Sequence, residues 1–277
     1  MSYLQAIILG FVQGVAEFLP ISGSGHLKLF EKLLGLPNVE TDYIFFDVLL
    51  HFSTLIAVVI VYHRVIWDLL REMLAMLHLR QYRPGELPDG PKRRMIVLLI
   101  FSLLPLVLVL PVRAAMKALG SNYLLVGLML ILTGLVLYIC DHLPRGKKDE
   151  KEMNVWDALL VGFAQALAVI PGLSRSGMTI SAGCARGLGR SYAVQFSFLM
   201  SIPTILTVVI LQLVDALQVG IDAAMLPKYL VGMAVAAVSG VAAVRFLQFI
   251  ARKSRFSGFS YYCWGAGVIS MFLFLIS

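Results

Sequence analysis

Uncharged runs on the scale of the roughly 20 residues that carry a helix across a bilayer are the feature that most restricts this chain. They cover Met95–Val112, Ala118–Cys140, Ser191–Val214, Tyr229–Val244 (continuing to about Ala251) and Phe256–Ser277. A sixth, Tyr43–Tyr62, carries Asp47 and His51 in otherwise apolar sequence. In hydrocarbon every backbone N–H and C=O must be satisfied internally, so such runs form helices. Hydrophobic residues make up 59% of the chain, charged residues only 14%, and the mean hydropathy is +0.86. Those values lie outside the range of soluble domains. The longest polar stretch, about His63–Arg94, is too short to hide a soluble domain. The expectation is an all-α, polytopic membrane protein with about six transmembrane helices, forming one domain over residues 1–277.

The net charge of +7 does not point to nucleic acid, because the basic residues sit in short loops between spans, as the positive-inside bias requires. Cys140, Cys184 and Cys263 have neither CxxC spacing nor a disulfide framework and read as buried apolar residues. The N-terminal segment has no basic region and no cleavage site, so a removable signal peptide is not expected.

An internal duplication organises the chain. Ala6–Leu27 aligns without a gap to Ala158–Thr179 at an offset of 152, with identities at Ala6/Ala158, Gly10/Gly162, Phe11/Phe163, Gln13/Gln165, Ala16/Ala168, Ser22/Ser174, Ser24/Ser176 and Gly25/Gly177. The match resumes from Phe46/Phe196 at an offset of 150. Repeat one is expected over about 1–140 and repeat two over about 155–277. Each opens with an apolar helix that breaks at a Pro/Gly/Ser stretch and continues as a second short helix. In the first repeat the halves read as Ser2–Ala16 and Leu27–Leu34, too short to span, so both segments are expected to be re-entrant helical hairpins. Three spans between the hairpins make them enter from opposite faces, an inverted-topology repeat with polar groups near the midplane. Loops 63–94, 141–156 and 252–258 hold fourteen Lys/Arg, and loops 22–45, 113–120 and 215–228 hold five. The first set is therefore expected to be cytoplasmic, with both termini outside.

The two breaks carry the chemistry. Pro171–Thr179, PGLSRSGMT, ends one helix and places Ser174, Arg175, Ser176 and Thr179 near the start of the next. Free N–H groups and the helix dipole favour an anion there, and the arginine fork takes two phosphate oxygens at once. Gln13–His26, QGVAEFLPISGSGH, places Gln13 and Glu17 one turn apart on one face. Glu17 is a candidate metal ligand, a base, or an orienting partner of His26. His26 is a candidate nucleophile or general acid, and Ser22 and Ser24 offer hydroxyls among glycines. Gly/Ser clusters also serve close helix packing, and an intramembrane histidine also serves as a structural donor. Glu17, His26 and Arg175 all fall in the duplicated breaks, which favours one functional site. Asp47 and His51, one turn apart, read equally as cavity residues or as a structural pair. Arg186, Arg190 and Lys92–Arg94 read as topology determinants, and Tyr261, Tyr262 and Trp264 as an interfacial belt.

At these two segments the sequence resembles the undecaprenyl-diphosphate phosphatase family of the bacitracin-resistance type, which carries (E/Q)xxxE, FLPxSSxGH and PGxSRSGxT motifs. The resemblance extends over essentially the whole chain. It implies hydrolysis of undecaprenyl diphosphate to the monophosphate and phosphate, recycling the carrier for cell-envelope polymers. It also implies a bacterial inner-membrane location, a site open to the periplasm or exterior, and a divalent cation, Mg²⁺ or Ca²⁺. By position, Glu17, His26, Ser174 and Arg175 become catalytic residues, with Glu17 also a metal ligand. Gln13, Ser22, Ser24, Ser176 and Thr179 become substrate-binding. The implied partners are the isoprenyl diphosphate and the bilayer, with no nucleic acid and with a homo-oligomer left open. Two positions depart from the pattern. Gln13 leaves one carboxylate in the first motif, and Gly23 replaces the second serine of SSxGH. The nucleophile is then His26, Ser22, Ser24 or an activated water, with His26 or water favoured, unless catalysis is impaired. The alternative function is a transporter or flippase for the phosphorylated lipid, since inverted repeats with broken helices also build transporters.

Overall fold

Helices account for all regular structure, and no strand forms among the residues that the structure, a computed structural model, describes: 1–36, 39–77, 90–109, 111, 119–120, 122–253 and 255–275. In chain order they are α1 (Tyr3–Ala16), α2 (Gly23–Leu33), α3 (Val39–Asp42), α4 (Ile44–Leu77), α5 (Pro91–Val107), α6 (Tyr123–His142), α7 (Val155–Leu167), α8 (Arg175–Ala185), α9 (Arg190–Val219), α10 (Leu226–Lys253) and α11 (Ser257–Leu275). Among the described residues five stretches are long and apolar enough to cross a membrane: Ile44–Met76, Tyr123–His142, Arg190–Val219, Ala223–Lys253 and Ser257–Leu275. The sixth expected crossing, Met95–Val112, corresponds to α5, a 17-residue helix about 25 Å long, and residues 110 and 112 lie outside the described residues.

Side-chain distribution is inverted relative to a soluble bundle. Phe11, Ile139, Leu160, Ile210, Val238 and Phe272 point outward, whereas Gln13, Asp47, Ser197 and Gln212 are buried. That arrangement is stable where the surroundings are hydrocarbon and costly where they are water. The protein is a multi-pass membrane protein.

Two boundaries differ from the expectation. The helix that begins near Tyr43 does not stop at Tyr62; it bends there (φ −104°, ψ 16°) and runs on to Leu77. Residues past the bend have a helical apolar spacing, and Val65, Ile66 and Leu69 pack on the main core. The second half of the first hairpin begins at Gly23 rather than Leu27, because Ser22 caps a helix that includes the Gly-Ser-Gly stretch. Its 11 residues and the 14 of α1 are each shorter than the hydrocarbon thickness.

The contacts repeat with the halves exchanged. α1 packs on α10 as α7 packs on α5, and α4 meets α9 while α6 meets α11. The duplicated glycines explain the first of these pairings. A Cβ on Gly10 would collide with the Gly232 carbonyl of α10, and one on Gly162 with the Ser102 carbonyl of α5. Without Cβ atoms the backbones approach closely, which replaces hydrophobic driving force as the source of helix association in lipid. The main core joins both halves, with Phe18 edge-on to Phe198 at 5.6 Å. At the polar end of the bundle Arg186 and Arg190, read as topology determinants, are also ion-paired, as is Lys148. Arg186 and Lys148 hold Asp157 at 2.7 and 3.2 Å, and Arg190 meets Asp141 at 2.8 Å. Burial opposes ionisation of Asp157, but the Asn154 N–H, Arg186 and Lys148 outweigh it and hold the carboxyl below the ordinary range.

Gly162→Val is expected to separate α5 from α7 and destabilise the protein by about 1–3 kcal/mol, the usual cost of overpacking. Thermal unfolding in detergent measures it, and Gly258→Val, at a position with open space around it, is the neutral control.

Candidate active site

A cavity of about 280 Å³ lies where the two hairpins meet, lined by Gln13, Glu17, Gly23 and Ser24 from the first, Ser174 and Arg175 from the second, and Asp47 and His51 from α4. Local sequence explains the approach. Ser22 and Ser174, a duplicated pair, are N-caps of α2 and α8 and accept from the Gly25 and Gly177 N–H groups at 3.3 and 3.1 Å. A Cβ on Gly25 would fall 3.1 Å from Ser22 Oγ, and one on Gly177 3.1 Å from Ser174 Cβ, so the duplicated glycines keep both caps close. Ser22 sits at φ 76°, the one positive-φ residue other than glycine among the described residues. Such geometry persists only where its surroundings hold it. The first residues of both helices, Gly23 and Ser24 on α2 and Arg175 on α8, thereby lie at the cavity, and first-turn N–H groups have no intrahelical acceptor.

The charged groups complete the closure. Arg175 Nη2 donates to Glu17 Oε1 at 2.9 Å, linking residues 158 positions apart. Gln13 Nε2 donates to Glu17 Oε2 at 3.2 Å, while Gln13 Oε1 is buried without a partner among the described residues. Gly23 leaves room for this carboxylate, since a Cβ there would lie 2.7 Å from Glu17 Oε2. A second tie joins the hairpins where Ser176 Oγ donates to the Leu19 carbonyl at 3.1 Å.

The residues singled out from sequence separate into two groups. Gln13, Glu17, Ser24, Ser174 and Arg175 line the cavity, and Ser24 is exposed within it. Ser22, Ser176 and Thr179 are buried behind the lining. Thr179 Oγ1 donates to the Arg175 carbonyl at 2.8 Å and lies 2.6 Å from Ser197 Oγ, steadying the first turn of α8. His26 is turned away from the cavity. Its Nδ1–H donates to the Ser22 carbonyl at 2.8 Å, so Nε2 accepts from the Tyr262 hydroxyl at 2.9 Å. Its ring is stacked on Tyr262 with centroids 5.4 Å apart. Tyr262, read as interfacial, is thus a direct partner of His26.

Asp47 and His51 do border the cavity and also form a pair, with Nδ1 3.4 Å from Asp47 Oδ1. Two further lining residues, Lys28 and Gln212, escaped the sequence reading. Lys28 lies one turn past Ser24 on α2 and meets Glu31 at 3.2 Å. That i, i+4 spacing was the available signal. Gln212 donates to Asp47 Oδ2 at 2.7 Å from α9, and its only signal was an amide in an apolar helix.

Fold and site together define a class: a multi-pass membrane protein with a charged cavity closed by two short helical hairpins. The profile of the family described as "Bacitracin resistance protein BacA" matches residues 6–269. The chain is similar to an undecaprenyl-diphosphatase of Halothermothrix orenii, 38% identical over 274 residues and covering 99% of this chain and 98% of that one. It is similar to another of Alkaliphilus metalliredigens, 36% identical over 277 residues and all of both chains. A third similar undecaprenyl-diphosphatase, from Methanosphaera stadtmanae, is 35% identical over 281 residues, 100% of this chain and 99% of that one. This chain belongs to the bacitracin resistance protein BacA family.

Capping and lining roles are separable. Ser174→Ala is expected to cost about 0.5–2 kcal/mol through loss of the α8 cap, while Ser24→Ala leaves the thermal midpoint in detergent unchanged.

Proposed function

We propose that this protein hydrolyses undecaprenyl diphosphate to undecaprenyl phosphate and inorganic phosphate, returning the lipid carrier to cell-envelope polymer synthesis. The observation that carries the reading is the Arg175–Glu17 pair at 2.9 Å, set between the N-termini of two helices on one cavity. Glu17 uses one guanidinium N–H group, and the others can take phosphate oxygens in a planar fork. Lys28 adds a second cation to the lining. The first turns of α2 and α8 lie at the cavity, where N–H groups without intrahelical acceptors favour the charge that develops on a transferring phosphoryl group. Ala168, Val169 and Val208 form an apolar wall along which the isoprenyl chain leaves into the bilayer.

A divalent cation, Mg²⁺ or Ca²⁺, belongs to this reading. No cluster of three or more His, Cys, Asp or Glu forms among the described residues. Magnesium nevertheless often binds through one or two carboxylates plus substrate phosphates. Glu17 would hold the cation, with the unpartnered Oε1 of Gln13 beside it. When bound it neutralises charge on the phosphate oxygens. Within the same proposal the chain is two repeats, about 1–140 and 155–277, of inverted topology in a bacterial inner membrane. Both termini are outside and the cavity opens to the exterior. Fourteen Lys/Arg on one set of loops against five on the other support that orientation.

Purified protein in detergent with Mg²⁺ or Ca²⁺ is expected to release phosphate from a C55 or C15 isoprenyl diphosphate. Arg175→Ala and Glu17→Ala should each lower the rate at least ~100-fold, the scale of losing one charge-stabilising group. Chelation should abolish release and added cation restore it. Movement of the lipid between leaflets of a vesicle without phosphate release would instead support transport and overturn the reading.

A further inference from the structure

One titratable group in the cavity has no task in binding the diphosphate. His51, on α4, lines the cavity beside Gly23, Ser24 and Arg175. No other histidine of the described residues lines it, since His26 has both ring nitrogens engaged with Ser22 and Tyr262. The hydroxyls buried at the two breaks are poorly placed to attack, and Ser24, exposed in the cavity, needs a base to attack just as water does. Gly23 has none, Ser22 is held in a cap, and Ser174 Oγ is shared between the Gly177 N–H and Ser176 at 3.2 Å. Water is the nucleophile the site has room for, and water needs a base.

We infer that His51 is that base, a catalytic residue of the hydrolysis proposed above, on which this inference rests, and that Asp47 and Gln212 position it. His51 Nδ1 lies 3.0 Å from the Asp47 carbonyl and 3.4 Å from its carboxylate. Nδ1 therefore carries a proton toward Asp47, and Nε2, which bonds none of the described residues, is the position that accepts a proton once the imidazole is neutral. Asp47 is almost wholly buried, at 2% exposure, and is fixed from a second helix by Gln212 at 2.7 Å. A buried carboxylate aimed at the far nitrogen of an imidazole sets its tautomer and stabilises the imidazolium, the logic of hydrolytic triads. A purely structural pair would be sealed on both sides. Here the carboxylate side is sealed and the imidazole side chain is 20% exposed. The charged groups facing His51 are Asp47 on its own helix, Glu17 at the end of α1, Lys28 on α2 and Arg175 on α8, while α9 contributes Gln212 and Thr204, which do not titrate.

The step balances with water as the only co-reactant. Water oxygen bonds to the terminal phosphorus as the bond from that phosphorus to the bridging oxygen breaks. One water proton passes to His51 Nε2, and the bridging oxygen departs with its electron pair on the lipid monophosphate. The imidazolium then releases its proton to solvent.

The test is phosphate release from farnesyl diphosphate by the full-length protein in detergent with Mg²⁺, across mildly acidic to mildly alkaline pH. His51→Gln is expected to lower kcat about 100-fold, at the lower end of general-base effects, with KM changed less than about threefold. The fall in rate toward low pH expected of wild type should disappear in this variant, and imidazole in the buffer should rescue His51→Ala. Asp47→Asn, which keeps the shape and an acceptor for Gln212, should lower kcat about tenfold at constant KM. It carries the test if neither His51 variant is recovered folded. A wild type that releases no phosphate overturns both this inference and the phosphatase reading. An active wild type with kcat of His51→Gln or Asp47→Asn within about threefold of it overturns this inference alone. So does a loss of kcat in His51→Gln that keeps the acidic fall, or a His51→Ala loss that imidazole does not rescue.

Discussion

The ion pair between Arg175 and Glu17 is the contact on which the site depends. A charge at membrane depth costs several kcal/mol unless it is paired or reaches water, and Glu17 and Arg175 pair across the two hairpins at 2.9 Å. Each hairpin therefore carries a deficit that the other relieves. The Ser176–Leu19 bond and the shared core around Phe18 hold the approach. With side chains 19% and 13% exposed, the pair remains open enough for an anion to compete for the arginine. A fully buried pair would resist that exchange, and an exposed one would be screened.

The duplication and its departures divide the work. Several identical positions are scaffold: Gly10 and Gly162 permit the two close helix crossings, and Ser22 and Ser174, with Gly25 and Gly177, build the two caps. The charges occupy positions where the repeats differ. Glu17 aligns with Val169, and Arg175 aligns with Gly23. The glycine that takes the arginine's place in the first repeat is also the residue whose missing Cβ leaves space for the glutamate. A pseudo-symmetric frame thus holds an asymmetric site, with an anion from one half and a cation from the other.

Much of this was legible before any coordinates. Apolar run length, the positions of Pro and Gly, and the unlikely presence of Glu17 and Arg175 in lipid are local signals, and they predicted the helices, the breaks and both halves of the pair. Helix ends were less legible. α4 continues past Tyr62 because Val65, Ile66 and Leu69 find the core, and α2 begins at Gly23 because its cap forms there. Neither event depends on composition alone.

The sequence by itself determined that the chain is helical, membrane-embedded and internally repeated, because hydrocarbon leaves the backbone no alternative and the repeat is written in residue identities. Only the tertiary structure decided which polar groups share a cavity. Side-chain direction depends on packing between elements far apart in the chain: Tyr262 draws His26 outward, while Gln212 holds Asp47, and with it His51, at the cavity wall. His26, which the sequence offered as a nucleophile or general acid, and His51, which it left as a cavity residue or half of a structural pair, therefore lie on opposite sides of that wall.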